Sequence, residues 1–128
     1  MLDHFGLVSP TESFSDVLIF YDAALAPLGY KRKDFIPDAL VGYAADGMNF
    51  DFWIHKRDDQ ARTPVHFAFR AQNHDQVDQC HAEGLKAGGI DNGKPGIREI
   101  YHPNYYGAFV KDPCGNNVEI VIHTPRLS

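Results

Sequence analysis

The sequence feature that most constrains the fold is an internal repeat. Each half begins with a short strand-like segment that carries a histidine, His4-Phe5-Gly6-Leu7 in the first half and His66-Phe67-Ala68-Phe69 in the second. A stretch with apolar residues at helical spacing follows each segment. Two copies of one supersecondary unit can bury their apolar faces together. We therefore predict a single domain over residues 1–128, with module one over about residues 1–58 and module two over about residues 64–125.

The two halves also end alike. When Gly47 is matched to Gly115, the residues that follow align as well, and Asp51 falls on Glu119. The glycines suit a turn that leads into a final strand. The repeat therefore predicts that each module ends in a strand with one carboxylate.

The helices are predicted from apolar spacing and from their end signals. The first helix closes on Gly29, whereas the second has Asn73 and Gln76 in the pattern of a capping box and stops at Gly88-Gly89. Three further strands and a polar linker are predicted at Ala39–Ala44, Ile97–Tyr101, Tyr105–Lys111 and Arg57–Thr63.

Alternation within the strands predicts one apolar and one polar sheet face. The apolar set comprises Phe50, Phe52, Ile54, Val118, Ile120 and Ile122. The opposite face carries the histidines and the carboxylates. The expected fold class is α+β, with paired βαβββ modules that form a curled mixed sheet around a cavity and helices on the outer face.

Composition limits the class of protein. The hydrophobic fraction of 44% and the charged fraction of 23% are typical of a globular protein, and the net charge of -5 gives no basic footprint for nucleic acid. No apolar run reaches membrane-spanning length, and the N-terminus lacks a signal-peptide pattern. We expect a cytoplasmic protein without a nucleic-acid or membrane partner. Cys80 and Cys114 have no CxxC spacing and are expected to be free thiols.

Four candidate metal ligands share the polar face: His4, Asp51, His66 and Glu119. Two imidazoles with one or two carboxylates suit one divalent ion of Zn, Fe, Mn, Ni or Co, and a three-ligand site leaves positions open for substrate. A single histidine at a strand start is more often structural. Glu119, however, lies between aliphatic residues of a strand, where a carboxylate is costly unless it faces a cavity with a partner. Asp51 has the shorter reach, so it is either a ligand or a solvent-facing group.

The run Asp112-Pro113-Cys114-Gly115-Asn116-Asn117-Val118-Glu119, together with Phe20-Tyr21 and Leu28-Gly29-Tyr30, resembles the vicinal oxygen chelate superfamily. This superfamily includes glyoxalase I, extradiol dioxygenases and bleomycin-resistance proteins. The resemblance extends over nearly the whole chain.

The resemblance implies a metal ion bound by His4, His66 and Glu119. A fourth ligand would fall at Asp51, where glyoxalase I carries a glutamate. Homodimers are common in the family, so the resemblance also implies a homodimer.

The segment Tyr101-His102-Pro103-Asn104-Tyr105-Tyr106 is rich in imidazole, hydroxyl and aromatic groups, and a similar run occurs in family members that resemble this chain. It either contacts substrate and assists proton transfer, or packs on the sheet as a rigid loop. The candidate catalytic residues are Glu119, His102 and Tyr106. The candidate substrate-binding residues are Trp53, Tyr105 and Arg98, although Trp53 equally suits the core and Arg98 the solvated surface.

Four other histidines are not assigned to the site. His55 and His123 match each other in the repeat but lie farther along their strands, so we interpret them as structural. His74 and His81 lie in the second predicted helix and are expected to be exposed.

Two functions of different class remain open at this stage. The first is a glyoxalase-like metalloenzyme that binds vicinal oxygens of a small-molecule substrate at one divalent metal ion and stabilises an oxyanion. Lyase or isomerase chemistry is preferred to ring-cleaving dioxygenase chemistry. The second is a metal-free ligand-sequestering protein of the bleomycin-resistance type, which would use the same cavity. Retention of three metal ligands favours the enzyme.

Overall fold

One βαβββ unit occurs twice along the chain. The computed structural model describes residues 1–126. The elements of module one are β1 (Phe5–Ser9), α1 (Thr11–Leu25), a 3₁₀ turn (Ala26–Leu28), β2 (Lys31–Ile36), β3 (Leu40–Ala44) and β4 (Phe52–Lys56). Those of module two are β5 (His66–Arg70), α2 (His74–Lys86), β6 (Ile90–Ile97), β7 (Tyr106–Lys111) and β8 (Asn117–Ile122). The predicted α+β class with paired modules is confirmed.

Each module forms its own four-stranded sheet, in the order β1-β4-β3-β2 and β5-β8-β7-β6. The first strand of each module runs parallel to the last, and the remaining pairs are antiparallel. In both sheets this first strand is an edge. The two edges approach each other where the rings of Phe5 and Phe67 pack with centroids 4.8 Å apart.

The core lies between the sheets and the two helices. Val17, Phe20 and Leu25 on α1 are fully buried and belong to one apolar cluster that includes strand residues of both modules. Phe52, Ile54, Val118, Ile120 and Ile122 belong to the same cluster, so the predicted apolar face is confirmed for these five positions. Burial of each such side chain contributes about 1.5–3 kcal/mol to the free energy of unfolding.

The helix ends agree with the local signals in the sequence. The Asn73 side chain accepts a hydrogen bond of 2.8 Å from the Gln76 backbone N–H, and Gly29 follows the 3₁₀ turn with a φ of 88°. A left-handed residue at that point favours glycine. Both cysteines are free, and burial raises the pKa of the Cys80 thiol to about 12. No helix within residues 1–126 is long and apolar enough to cross a membrane.

The strand predictions fail at the sheet edges. The edge strand β2 was not predicted, because all of its residues are exposed and its polar start shows no alternation. The predicted strand Ile97–Tyr101 is wrong: β6 ends at Ile97, and the chain then turns, with Tyr101 N–H bonded to the Arg98 carbonyl at 3.0 Å. Glycines and register shifts conceal β6 from pattern analysis.

Three side chains differ from the expected exposure. His74 and His81 are buried rather than exposed, because His74 stacks on a tyrosine ring and His81 Nε2 lies 2.8 Å from Asp91 Oδ1 of β6. Phe50 precedes β4, so strand alternation does not apply to it, and its ring packs on Trp53 on the face away from the helices.

Candidate metal and substrate site

Glu119 is the centre of the candidate site. It lies in the middle of β8 on the face away from the helices, yet only 3% of its surface is exposed. Tyr105 donates its hydroxyl hydrogen to Oε2, and Oε1 lies 3.1 Å from His66 Nε2. Gly107 leaves room for this arrangement, since a Cβ there would lie 3.3 Å from Oε2. Both carboxylate oxygens are therefore held in place by neighbouring side chains.

The backbone fixes the tautomer of His66. Its Nδ1 lies 3.0 Å from the carbonyl oxygen of Asn117, and a carbonyl can only accept, so Nδ1 carries the hydrogen. In the neutral ring, Nε2 then directs a lone pair toward Glu119 Oε1. Two acceptors at this distance repel unless a proton or a metal ion lies between them. An Nδ1–H donated to the backbone is also the usual arrangement of a metal-ligating histidine.

His4 and Asp51 line a cavity of 570 Å³ that includes His66 and lies between β1 and β5. The side chain of His4 is 59% exposed, and its Nδ1 lies 2.7 Å from Asp3. Asp51 accepts a hydrogen bond of 3.1 Å from the Tyr30 hydroxyl. Within residues 1–126, no three His, Cys, Asp or Glu side chains come together closely enough to hold a metal ion. The structure thus brings His66 and Glu119 together and leaves the other two candidates apart from them.

Strand register corrects the predicted match between Asp51 and Glu119. Gly6 in β1 lies opposite Trp53 in β4, whereas Ala68 in β5 lies opposite Glu119 in β8. Gly6 and Ala68 each lie two residues after the histidine of their segment. Trp53, and not Asp51, therefore occupies the place of Glu119. The expected fourth ligand position holds an indole.

The cause of this shift is the turn that precedes β4. Trp53 lies six residues after Gly47, whereas Glu119 lies four residues after Gly115, so the chain of module one has two more residues between the glycine and the equivalent strand position. Matching the two glycines hides this difference from a sequence alignment.

The donor set fits a divalent metal ion in its chemistry and partly in its position. Bonds of about 2.1 Å at right angles separate neighbouring ligand atoms by about 3 Å, and His66 Nε2 and Glu119 Oε1 lie 3.1 Å apart. His4 supplies a second imidazole on the wall of the adjoining cavity. These three residues are the ones that would hold the ion.

The loop before β7 covers one side of Glu119. Burial, and next the hydrogen bond to Glu119, raise the pKa of the Tyr105 hydroxyl above its usual value, so the hydroxyl remains a donor at neutral pH. His102 Nε2 lies 2.8 Å from His123 Nδ1, and both rings contact the Tyr105 ring. His123 was interpreted as structural. Its position two strand steps beyond Glu119 in the alternation was the signal that placed it on this face.

Tyr106 lies on the other side of the sheet. Its hydroxyl donates to Asp78 on α2 at 2.6 Å, and its ring stacks on His74 at 4.4 Å. Adjacent strand residues point to opposite faces, so Tyr105 and Tyr106 cannot both face Glu119. The expectation that Tyr106 acts beside Glu119 is corrected.

Arg98 lies over the Phe109 ring at 5.3 Å, and that ring lies 6.0 Å from the His66 ring. Its guanidinium donates to the carbonyls of Gly96 and Lys94 at 2.8 and 2.7 Å. Arg98 is therefore held on the open face of the second sheet, beside the Phe109 ring that also neighbours His66.

Trp53 belongs to an aromatic cluster on the open face of the first sheet. Its ring packs on Phe35 at 4.8 Å and on Phe50 at 6.0 Å, and its Nε1–H donates to the Phe50 carbonyl at 2.8 Å. Gly42 permits this packing, since a Cβ there would lie 3.0 Å from the indole. The cluster forms a half-exposed aromatic surface rather than part of the core.

Comparison with known proteins gives structural matches only. No protein-family model matches the sequence, and a search of curated proteins finds no significant relative. A glyoxalase/bleomycin resistance protein from Albidiferax ferrireducens T118 is 25% identical with a TM-score of 0.73, over 94% of this chain and 97% of the other. A glyoxalase/bleomycin resistance protein/dioxygenase family enzyme from Burkholderia phytofirmans PsJN is 14% identical with a TM-score of 0.72, over 96% and 98%. Lactoylglutathione lyase from Agrobacterium tumefaciens is 18% identical with a TM-score of 0.61, over 91% and 90%.

Proposed function

We propose that this chain, which has the vicinal oxygen chelate fold, binds two adjacent oxygens of a small molecule at one divalent metal ion held by His4, His66 and Glu119. The observation that carries the proposal is the approach of His66 Nε2 to Glu119 Oε1 at 3.1 Å while Nδ1 is committed to the backbone. A cation relieves the repulsion between these two acceptors. His4 is the third donor because it lines the cavity that includes His66 and its exposed ring has, among residues 1–126, Asp3 as its one hydrogen-bond partner.

Three protein ligands leave positions for substrate oxygens, and Trp53 at the fourth place supplies no donor atom. A bound divalent ion would polarise these oxygens as a Lewis acid and stabilise an oxyanion. Tyr105 keeps the Glu119 carboxylate in position through its hydroxyl.

His102 is the residue we propose for moving a proton. Its Nδ1 accepts a hydrogen bond of 3.1 Å from the Asn104 N–H, so in the neutral ring Nε2 carries the hydrogen and donates it to His123 Nδ1 at 2.8 Å. This pairing supports lyase or isomerase chemistry, which requires proton transfer, over ring cleavage by oxygen.

Metal binding to the purified chain tests the proposal. After removal of metal with EDTA, the protein is dialysed against Zn²⁺, Mn²⁺ or anaerobic Fe²⁺, and bound metal is measured by elemental analysis. We expect about one equivalent. His66→Ala and His4→Ala should each weaken metal binding by at least about 10- to 100-fold. Loss of a residue that only hydrogen-bonds to a ligand already has an effect of this size.

His55→Ala is the matched control, because His55 is a half-buried histidine on β4 of the first sheet and is not a proposed ligand. It should bind metal as the wild-type chain does. Full metal binding by His66→Ala, or no binding by the wild type, would overturn the proposal.

A metal-free binding protein is the second candidate. It is supported by the half-exposed aromatic surface of Trp53, Phe35 and Phe50, which suits stacking of a planar ligand. If this candidate is right, an aromatic ligand quenches the fluorescence of Trp53 equally in EDTA and in zinc. A quench that requires metal excludes it.

The homodimer and the cytoplasmic location stay predictions. The exposed apolar side chains Phe35 and Ile36 on β2, next to the aromatic surface, are consistent with contact to a second copy. Light scattering on a size-exclusion column measures the mass directly against the 14.4 kDa of one chain.

A further inference from the structure

The open face of the second sheet carries an excess of positive charge. Strands β5 to β8 contain two carboxylates, Asp91 and Glu119. Asp91 turns to His81 of α2, so Glu119 is the only one on the open face. Arg70 and Lys111 lie on this face by strand alternation, because they follow His66 and Phe109 at even spacing. This is unusual in a chain with a net charge of -5.

Arg98, in the turn after β6, adds a further cation that the backbone holds in place. Two of its five N–H groups donate to backbone carbonyls, which leaves three for a ligand. Two glycines make space for it: a Cβ at Gly93 or Gly96 would lie 3.1 or 3.2 Å from its guanidinium nitrogens. The guanidinium is therefore held before any ligand binds, so little side-chain entropy is lost on binding.

Arg98 and His66 both neighbour the Phe109 ring. The ring centroid lies 5.3 Å from the Arg98 guanidinium carbon and 6.0 Å from the centroid of the His66 ring. A small molecule beside Phe109 would contact both side chains. The Glu119 carboxylate does not compete for Arg98, because its oxygens are already engaged by Tyr105 and His66.

We propose that the ligand of this site carries a carboxylate that binds Arg98, with its vicinal oxygens at the His66–Glu119 end. This inference rests on the proposed function for the oxygen-binding end only. A guanidinium presents parallel N–H groups that match the two oxygens of a carboxylate, and charged hydrogen bonds of this kind are among the strong ones.

The test compares two probes that differ by one carboxylate. Binding of protocatechuate and of catechol is measured by isothermal titration calorimetry in zinc. We expect protocatechuate to bind about tenfold more tightly, the effect of about 1.4 kcal/mol. Arg98→Met should abolish this preference without weakening the binding of catechol. Arg98→Lys, which keeps the charge but not the fork of N–H groups, should retain only part of it.

Arg57→Met is the control, since Arg57 pairs with Asp59 in the linker between the modules. It should keep the full preference. Circular dichroism of each variant reports folding. Equal affinity of the wild type for both probes, or a preference that survives Arg98→Met, overturns the inference. Displacement of protocatechuate by inorganic phosphate more effectively than by benzoate also overturns the choice of carboxylate.

Failure of the proposed function gives a different result. His66→Ala should weaken the binding of both probes equally and leave the ratio of their affinities unchanged. If His66→Ala binds both probes as the wild type does while Arg98→Met still loses the preference, the metal proposal falls and the carboxylate subsite stands.

Discussion

Replacing Glu119 with glutamine should reverse a stability ranking when zinc is added. The glutamine side chain can accept the Tyr105 hydroxyl with its oxygen and donate an N–H to His66 Nε2. In the native chain that nitrogen faces a carboxylate oxygen at 3.1 Å. The substitution therefore replaces a contact between two acceptors with a hydrogen bond, and it removes a charge from a position that is 3% exposed.

The magnitude follows from one hydrogen bond gained and one metal site lost. A net hydrogen bond contributes about 1 kcal/mol to the free energy of unfolding, so Glu119→Gln should melt about 4 °C above the wild type in EDTA. In zinc at about 100 times the dissociation constant, the wild type should gain about 2.7 kcal/mol, or about 10 °C. The variant has lost an anionic ligand and should gain far less.

Thermal melting followed by far-UV circular dichroism at pH 8 measures both effects. Imidazole is ordinarily uncharged at this pH, so a proton does not take the place of the metal ion. Glu83→Gln is the control for loss of an exposed carboxylate, because Glu83 lies on the surface of α2. If Glu119→Gln melts below the wild type in EDTA, the His66–Glu119 contact is a stabilising ion pair and the reasoning fails. The reasoning also fails if zinc raises the melting temperature of the wild type and of Glu119→Gln equally.

Three further predictions concern packing and side chains on or near α2. Gly89→Ala should lower the free energy of unfolding by about 2 kcal/mol, because its Cβ would lie 2.5 Å from Val110 Cγ1. Urea denaturation measures this, and an unchanged midpoint contradicts it. Tyr106→Phe loses the bond to Asp78 and should cost about 1 kcal/mol while zinc affinity stays at the wild-type value; weaker zinc binding would return Tyr106 to the site. Burial lowers the pKa of His74, so the unfolded chain takes up its proton first as pH falls below the ordinary value of 6.5. Wild-type stability should fall in that range, and His74→Gln should flatten the decline. An equally steep decline in the variant contradicts this.

Features that depend on local chemistry were predictable from the sequence. Asn73 caps α2 and Gly29 ends the first helical segment because side-chain acceptors and positive φ angles act within a few residues. The edge strands β2 and β6 escaped prediction because an edge strand needs no apolar face. Strands β2 and β6 each form by backbone pairing with one neighbour, β3 or β7, and neither contains a buried residue that would give it an apolar pattern.

The candidate site was predictable where the two modules have diverged least. His66 and Glu119 meet because β5 pairs parallel to β8 with Ala68 opposite Glu119, which places the two side chains on the same face of the sheet. Asp51 is misplaced by two positions because the turn before β4 is two residues longer than the turn before β8. A turn of this kind changes the register of a strand without leaving a signature in strand alternation, so only the pairing of Gly6 with Trp53 exposes it.

The register difference has a functional consequence. At one and the same place in the repeat, module one presents the indole of Trp53 and module two presents the carboxylate of Glu119. A strand neighbour without a side chain allows each: Gly42 lies opposite Trp53 in β3, and Gly107 lies beside Glu119 in β7. A duplicated unit that kept one carboxylate per module would offer a symmetric four-ligand site. Here the first module offers an aromatic surface and the second offers the charged groups, which suits a ligand with one planar apolar part and one oxygen-rich part.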